Sequence, residues 1–189
     1  VAHNLTTSAT VRVQGAANSG QSPTLYDSTA LTTYSGSDYA VTFTNTVARY
    51  WRVSISDTGN PVGYIQLGRV FLGPRFRPAA DIDWTPSISV ESKTGVLESL
   101  GGPEYFDERP NRRLFTAKWS WLTETEAYNV LLAIQRSQDV SREVYLIMDD
   151  ASTVYQGEKN FLARFRQLSP IEWPYRVAHA CGVEVGELL

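Results

Sequence analysis

Sulfur and imidazole are scarce in this chain of 189 residues, which has one cysteine, one methionine and two histidines. A lone Cys181 allows no internal disulfide, so packing must hold the fold. Cys181 stands two residues from His179, on the same side of any strand they share. A structural zinc takes four such ligands and a catalytic zinc three, so an ordinary strand with a buried thiol is the better reading. No run of about 18 apolar residues exists to form a membrane-spanning helix. The opening VAHNLTTSATVRV lacks the basic start and apolar core of a signal peptide. It reads as a strand and turn entered partway, with no initiator methionine, and predicts that further residues of the fold lie upstream. A Gly-x-Ser-x-Gly elbow, a Gly-x-Gly-x-x-Gly after a strand and a Walker sequence are all missing, which leaves nucleophilic and phosphate-cradling chemistry without support. A net charge of −3 and a pI near 5.4 give no general attraction to nucleic acid or to an anionic membrane.

What is present is β pattern. Apolar residues make up 42% and aromatic residues 12%, a composition that folds. In ARYWRVSISDTGNPVGYIQLGRVFLGPRFRP, residues 48–78, Trp51, Val53 and Ile55 alternate with Tyr50, Arg52, Ser54 and Ser56, as in a half-buried antiparallel strand. Residues 57–63 are rich in turn formers, and 64–72 predict a returning strand, bulged at Gly68 and closed by Gly73-Pro74.

Charge marks a boundary. Residues 1–80 carry six Arg and three Asp, whereas 81–189 carry eleven basic and seventeen acidic residues, with the sign changing near Arg75-Phe76-Arg77-Pro78. Two units follow, 1–73 and 74–189. The first predicts strands near 8–14, 39–45, 48–56 and 64–72, parted by 15–20 and 35–38. That is an all-β sandwich short of the roughly seven strands a small sandwich needs.

The second predicts a β-rich α+β domain. Ser87–Ser92 alternates and could turn at 93–95 to pair with 96–99. In 113–121, Phe115, Ala117, Trp119 and Trp121 share one phase. Thr123 and Glu126 then form a capping box opening one amphipathic helix near 123–137, with Ala127, Val130, Leu131 and Ile134 as its buried stripe. Strands follow at 143–148, stopped by Asp149-Asp150, at 161–168 and at about 171–185, with Pro174 marking an edge or bulge.

Reactive constellations are thin. The acid pairs Asp81/Asp83, Asp107/Glu108 and Asp149/Asp150 lie beside turn formers or strand ends, where carboxylates bond their own backbone. A glycosidase needs two acids facing one cleft, which spacing here does not provide. Arg109-Pro110-Asn111-Arg112-Arg113 and the many Trp and Tyr suit cores and subunit interfaces better than a polyanion grip. Arg75, Arg77, Arg109, Arg112 and Arg113 are therefore the candidate interface residues, with no catalytic, cofactor or metal residue assigned.

ARYWRVSISD followed by GYIQLGRVFLG resembles the closing hairpin of galactose-binding-like, discoidin-type β-sandwiches. AHNLTTSATVRVQGA resembles a middle section of that fold as found in tail proteins of bacteriophages and prophages. The second unit resembles those proteins too, through a Trp near its start and SLGGPEYFDERPNRRLFTAKWSWLTETEAYNVLLAIQRS leading to an apolar strand that ends in Asp-Asp. The resemblance implies a distal tail, or tail-tip, protein of a long-tailed phage: a homo-oligomeric ring in the virion that joins the tail tube to the tip or hub proteins, without enzymatic activity. It carries over no sugar, calcium or iron-sulfur site. The alternative is a carbohydrate-binding module that attaches to a host-surface glycan through an exposed aromatic platform on the first unit.

Overall fold

A computed structural model describes residues 3–29, 31–32, 40–83, 85–149 and 155–189. Strands, distributed over several sheets, take 42% and helices 11% of the described residues, so the fold is mainly β and consistent with a β-sandwich with little helix. Contacts divide the chain into two units, Val1–Arg75 with Leu146–Phe161 and Phe76–Tyr145 with Leu162–Leu189.

The sheet of the first unit is built on β1 (Thr10–Ala16), where Val11 and Val13 point inward and Arg12 outward. β4 (Tyr50–Ser56) runs antiparallel to all of it, from Thr10↔Ser56 to Ala16↔Tyr50. The opposite edge of β1 is shared by β2 (Thr24–Asp27) and β3 (Leu31–Thr32). Leu5, Ala9, Val11 and Val13 form the buried cluster, closed by Tyr26, Phe43, Trp51 and Ile55. The rings of Tyr26 and Phe43 stack at 4.7 Å, and Trp51 tilts against Phe43 at 5.5 Å. On the outward side Arg12 Nε donates to Asp27 at 2.8 Å and Gln14 Nε2 does the same at 2.8 Å, which holds the Asp27 carboxyl well below its usual range.

Two strands expected in this unit are not formed. Residues 40–45 make no ladder, although Phe43 joins the aromatic cluster; Tyr39, the separator at 35–38, Trp84 and Asp150 lie outside the described residues. Residues 64–72 make one isolated bridge, His3↔Leu67, in place of a strand. The Asn4 side chain occupies the backbone groups a ladder would use, accepting from Gln66 N at 2.7 Å and donating to Tyr64 O at 2.9 Å. Tyr64, Ile65, Leu67, Val70, Phe71 and Leu72 are all exposed, so no buried face fixes a register. The turn before them does form, with positive φ at Gly63, and Asp57 ties it to Thr6 N at 2.9 Å.

In the second unit the sheet order is β5 (Ser87–Glu91), β8 (Arg112–Leu122), β12 (Ala178–Glu187), then β10 (Asn160–Gln167), all antiparallel neighbours. β11 (Ile171–Tyr175) pairs with the first part of β12, beside the stretch that β10 pairs. The single strand expected at 171–185 is thus a hairpin, and Pro174 sits at its register shift between Glu172 and Tyr175. β9 (Val144–Ile147) and β10 both straddle the division between units.

The hairpin expected between 87–92 and 96–99 is replaced by two other pairings. β5 joins β8, while β6 (Gly95–Glu98) pairs with β7 (Glu104–Asp107). Gly102, at φ +94°, supplies the left-handed turn residue that Lys93-Thr94 lacks.

The capping box is present: Glu126 Oε2 accepts from Thr123 N at 2.9 Å, and Thr123 Oγ1 accepts from Glu126 N at 3.3 Å. The helix spans 124–138, and its first part, Glu126–Leu131, has π geometry, with Leu132 N–H bonding Ala127 O. A π turn holds more residues than an α turn, so the buried stripe becomes Ala127, Leu131 and Gln135. Val130 and Ile134, expected inside, are only half-buried.

Candidate functional site

The inner face of the second unit's sheet absorbs the residues with reactive side chains. Leu122, Ala127, Leu131 and Cys181 form its buried cluster, against which Phe76, Trp119, Tyr128 and Ile171 pack. Cys181 Sγ lies 3.6 Å from Ser169 O and receives Gln135 Nε2 at 3.7 Å. Burial pushes the thiol above its ordinary value, the reverse of what an activated nucleophile needs. His179 is buried edge-on to Tyr128 at 5.4 Å and Trp173 at 6.3 Å. Among the described residues no three His, Cys, Asp or Glu side chains gather as a metal set.

The outer face is built on small residues. Ala178, Ala180, Gly182 and Gly186 of β12 leave room for long side chains from the flanking strands. A Cβ on Gly186 would meet the Arg166 stem at 3.1 Å, so Arg166 lies against this glycine. Its guanidinium stands 3.6 Å from Glu91 and 4.0 Å from Glu184. Glu91 also accepts from Lys93 at 2.7 Å and from Arg112 at 2.7 Å, and these cations draw its carboxyl down to about 2. Farther along, Lys118 pairs with Glu172 at 3.1 Å, and Trp121 stacks on Tyr175 at 5.5 Å with 12° between rings.

Trp121 reaches this side because of a bulge. Cys181 pairs with Trp119 but His179 pairs with Leu122, so β8 carries one extra residue between them. Leu122 turns inward, and Trp121, expected beside Phe115 and Ala117, is 60% exposed.

The candidate arginines divide. Arg75 and Arg77 are exposed, at the end of the first unit and the start of the second. Arg109 pairs with Asp107 at 2.7 Å, and Arg112 with Glu91 at 2.7 Å. Arg113 pairs with Glu187 through its guanidinium and its backbone N–H, the latter at 2.9 Å. Burial alone would raise the Glu187 carboxyl, but the Arg113 hydrogen bonds outweigh it and hold the group below its ordinary value. Of the five, only Arg112 lines a recess of about 340 Å³, together with Val140, Arg164, Phe165, Arg166, Glu187 and Leu188. Arg164 and Arg166 were absent from the sequence candidates, although the Arg-Phe-Arg alternation inside 161–168 signals two cations on one strand face.

The β6–β7 hairpin is the other unusual surface. All eight of its strand residues are exposed. Val96 pairs with Phe106 and Leu97 with Tyr105, which puts apolar pairs on both faces. At its tip Glu98 stands directly opposite Glu104, around a turn that carries Leu100 fully into solvent.

No family model, curated protein or solved structure matches the chain.

Proposed function

We propose that the chain is a structural subunit of a long-tailed bacteriophage tail, acting at the distal tail or tail tip as one copy in a ring that joins tail tube to tip. One observation carries the reading beyond the sequence resemblance. On the second unit's outer sheet face Arg112, Lys118 and Arg166 are tied in ion pairs, while large apolar side chains stand uncovered on the β6–β7 hairpin and along 64–72. Uncovered apolar surface of this kind marks a contact with other protein, and closed symmetric assemblies are the common solution. Light scattering and negative-stain imaging, with and without tube protein, test it. A closed ring, alone or docked on tube protein, is expected; a chain that stays monomeric and joins no ring in either condition overturns the proposal.

A second reading, attachment to a host-surface glycan, gains one observation. The exposed Trp121–Tyr175 stack beside the Lys118–Glu172 pair offers an aromatic surface with polar groups at hand. It lies on the second unit. In the first unit Tyr26, Phe43 and Trp51 are partly buried against its core, while Tyr64 and Phe71 are exposed.

A further inference from the structure

We infer that the tip of the β6–β7 hairpin docks head-to-tail into the arginine-lined recess of a second copy of this chain. The inference rests on the ring reading above and adds to it the two surfaces that meet.

The hairpin is incomplete by itself. Two strands without a covered face are marginal in water, and here both faces are apolar and neither is covered. Carboxylates directly opposite each other repel, and among the described residues no cation pairs with Glu98 or Glu104. Along 95–108 every charged residue is acidic, and of these Asp107 is paired with Arg109. The hairpin therefore calls for a partner that is both basic and apolar.

The recess has that character. Arg112 and Arg166, with Lys93 beside them, face Glu91, Arg166 also stands 4.0 Å from Glu184, and the lining Glu187 is held by Arg113, so with Arg164 the cations still outnumber the carboxylates. Val140, Phe165 and Leu188 provide apolar wall. A volume of about 340 Å³ admits one leucine-sized side chain flanked by two carboxylates. Leu100 between Glu98 and Glu104 presents that group. The lining includes no residue of the hairpin, so tip and recess are separate surfaces of one chain. Contacts between two different patches repeat from copy to copy, closing into a ring or extending as a filament.

The test is a charge swap in the whole chain, followed by sedimentation. Glu98→Arg with Glu104→Arg, and separately Arg164→Glu with Arg166→Glu, are each expected to weaken self-association about tenfold or more, as charge reversal does at a complementary interface. Mixing the two variants restores it. As a second measurement, copies carrying Leu100→Cys mixed with copies carrying Val140→Cys are expected to form a mixed disulfide under mild oxidation. Wild-type association that neither swap disturbs, or variants that weaken singly but do not recover when mixed, overturn the docking and leave the ring reading standing. A wild-type chain that never associates, even with tube protein, removes the ring reading and this inference with it.

Discussion

Gly15 and Trp51 are direct partners across β1 and β4, and the indole ring covers the glycine so closely that a Cβ there would stand 3.1 Å from its Cζ3. The same Cβ would meet Ala48 Cβ at 3.0 Å, leaving no side free. Trp51 in turn packs against Phe43 and Tyr26, so displacing it disturbs the whole aromatic cover of the first unit. Gly15→Val is expected to lower the stability of this unit by about 1–3 kcal/mol, the usual range for overpacking. Denaturant unfolding followed by tryptophan fluorescence reads it, and an unchanged midpoint would show that Trp51 can move aside freely.

The capping box makes a prediction with a pH sign. The Thr123 backbone N–H, with its hydroxyl and the Ala79 N–H, holds the Glu126 carboxyl below its ordinary value of 4.5. A depressed carboxylate stabilises the fold above its unfolded value, and that contribution disappears as pH falls through the folded one. Thr123→Ala is expected to cost about 1 kcal/mol at neutral pH. Glu126→Gln is expected to flatten part of the loss of stability below pH 4.5. Thermal melts across the acid range compare the two.

Glu91 offers the wider window. Its carboxyl falls to about 2 through Lys93 first and Arg112 next, with Arg166 adding a smaller pull. The stabilisation is complete above 4.5 and is lost as pH drops toward about 2. Carboxylate titration by NMR should place Glu91 among the lowest glutamates, and Arg112→Ala should move it upward. Because the group is solvent-accessible, added salt should move it upward as well. A Glu91 that titrates near 4.5 in the wild type would dissolve the outer-face network.

Much of the architecture was legible because it depends on local signals. The alternation in 50–56, 87–91 and 113–119 and the Thr123–Glu126 box each state an element through neighbouring residues. What the sequence hid were choices between partners. Residues 64–72 alternate well enough for a strand, yet Asn4, some sixty positions away, intercepts their backbone groups. The mate expected for 87–91 was 96–99, and nothing before Gly101-Gly102 reveals that 95–98 pairs forward instead. Arg112 could be named as an interface residue, but Arg164 and Arg166 join it only through the β8–β12–β10 order, a long-range fact. The π geometry of 126–131 likewise has no local signature that moves Gln135 inward and Ile134 partly out.

The bulge in β8 gives the sharpest contrast between simple alternation and the fold. Alternation from Phe115 puts Trp121 inside and Leu122 outside; the extra residue between the Cys181↔Trp119 and His179↔Leu122 pairs reverses this. Leu122 is buried with Ala127, Leu131 and Cys181, so Leu122→Ala removes a core side chain and is expected to cost about 2–5 kcal/mol. Trp121 is the larger residue, but what it loses on truncation is chiefly its stack on Tyr175, worth about 0.5–1.5 kcal/mol. Trp121→Ala should therefore be the milder change, against the order expected from side-chain size. Paired urea titrations of the two variants decide the matter, and a tryptophan substitution costing more than the leucine one would restore the uninterrupted strand and place Trp121 in the core.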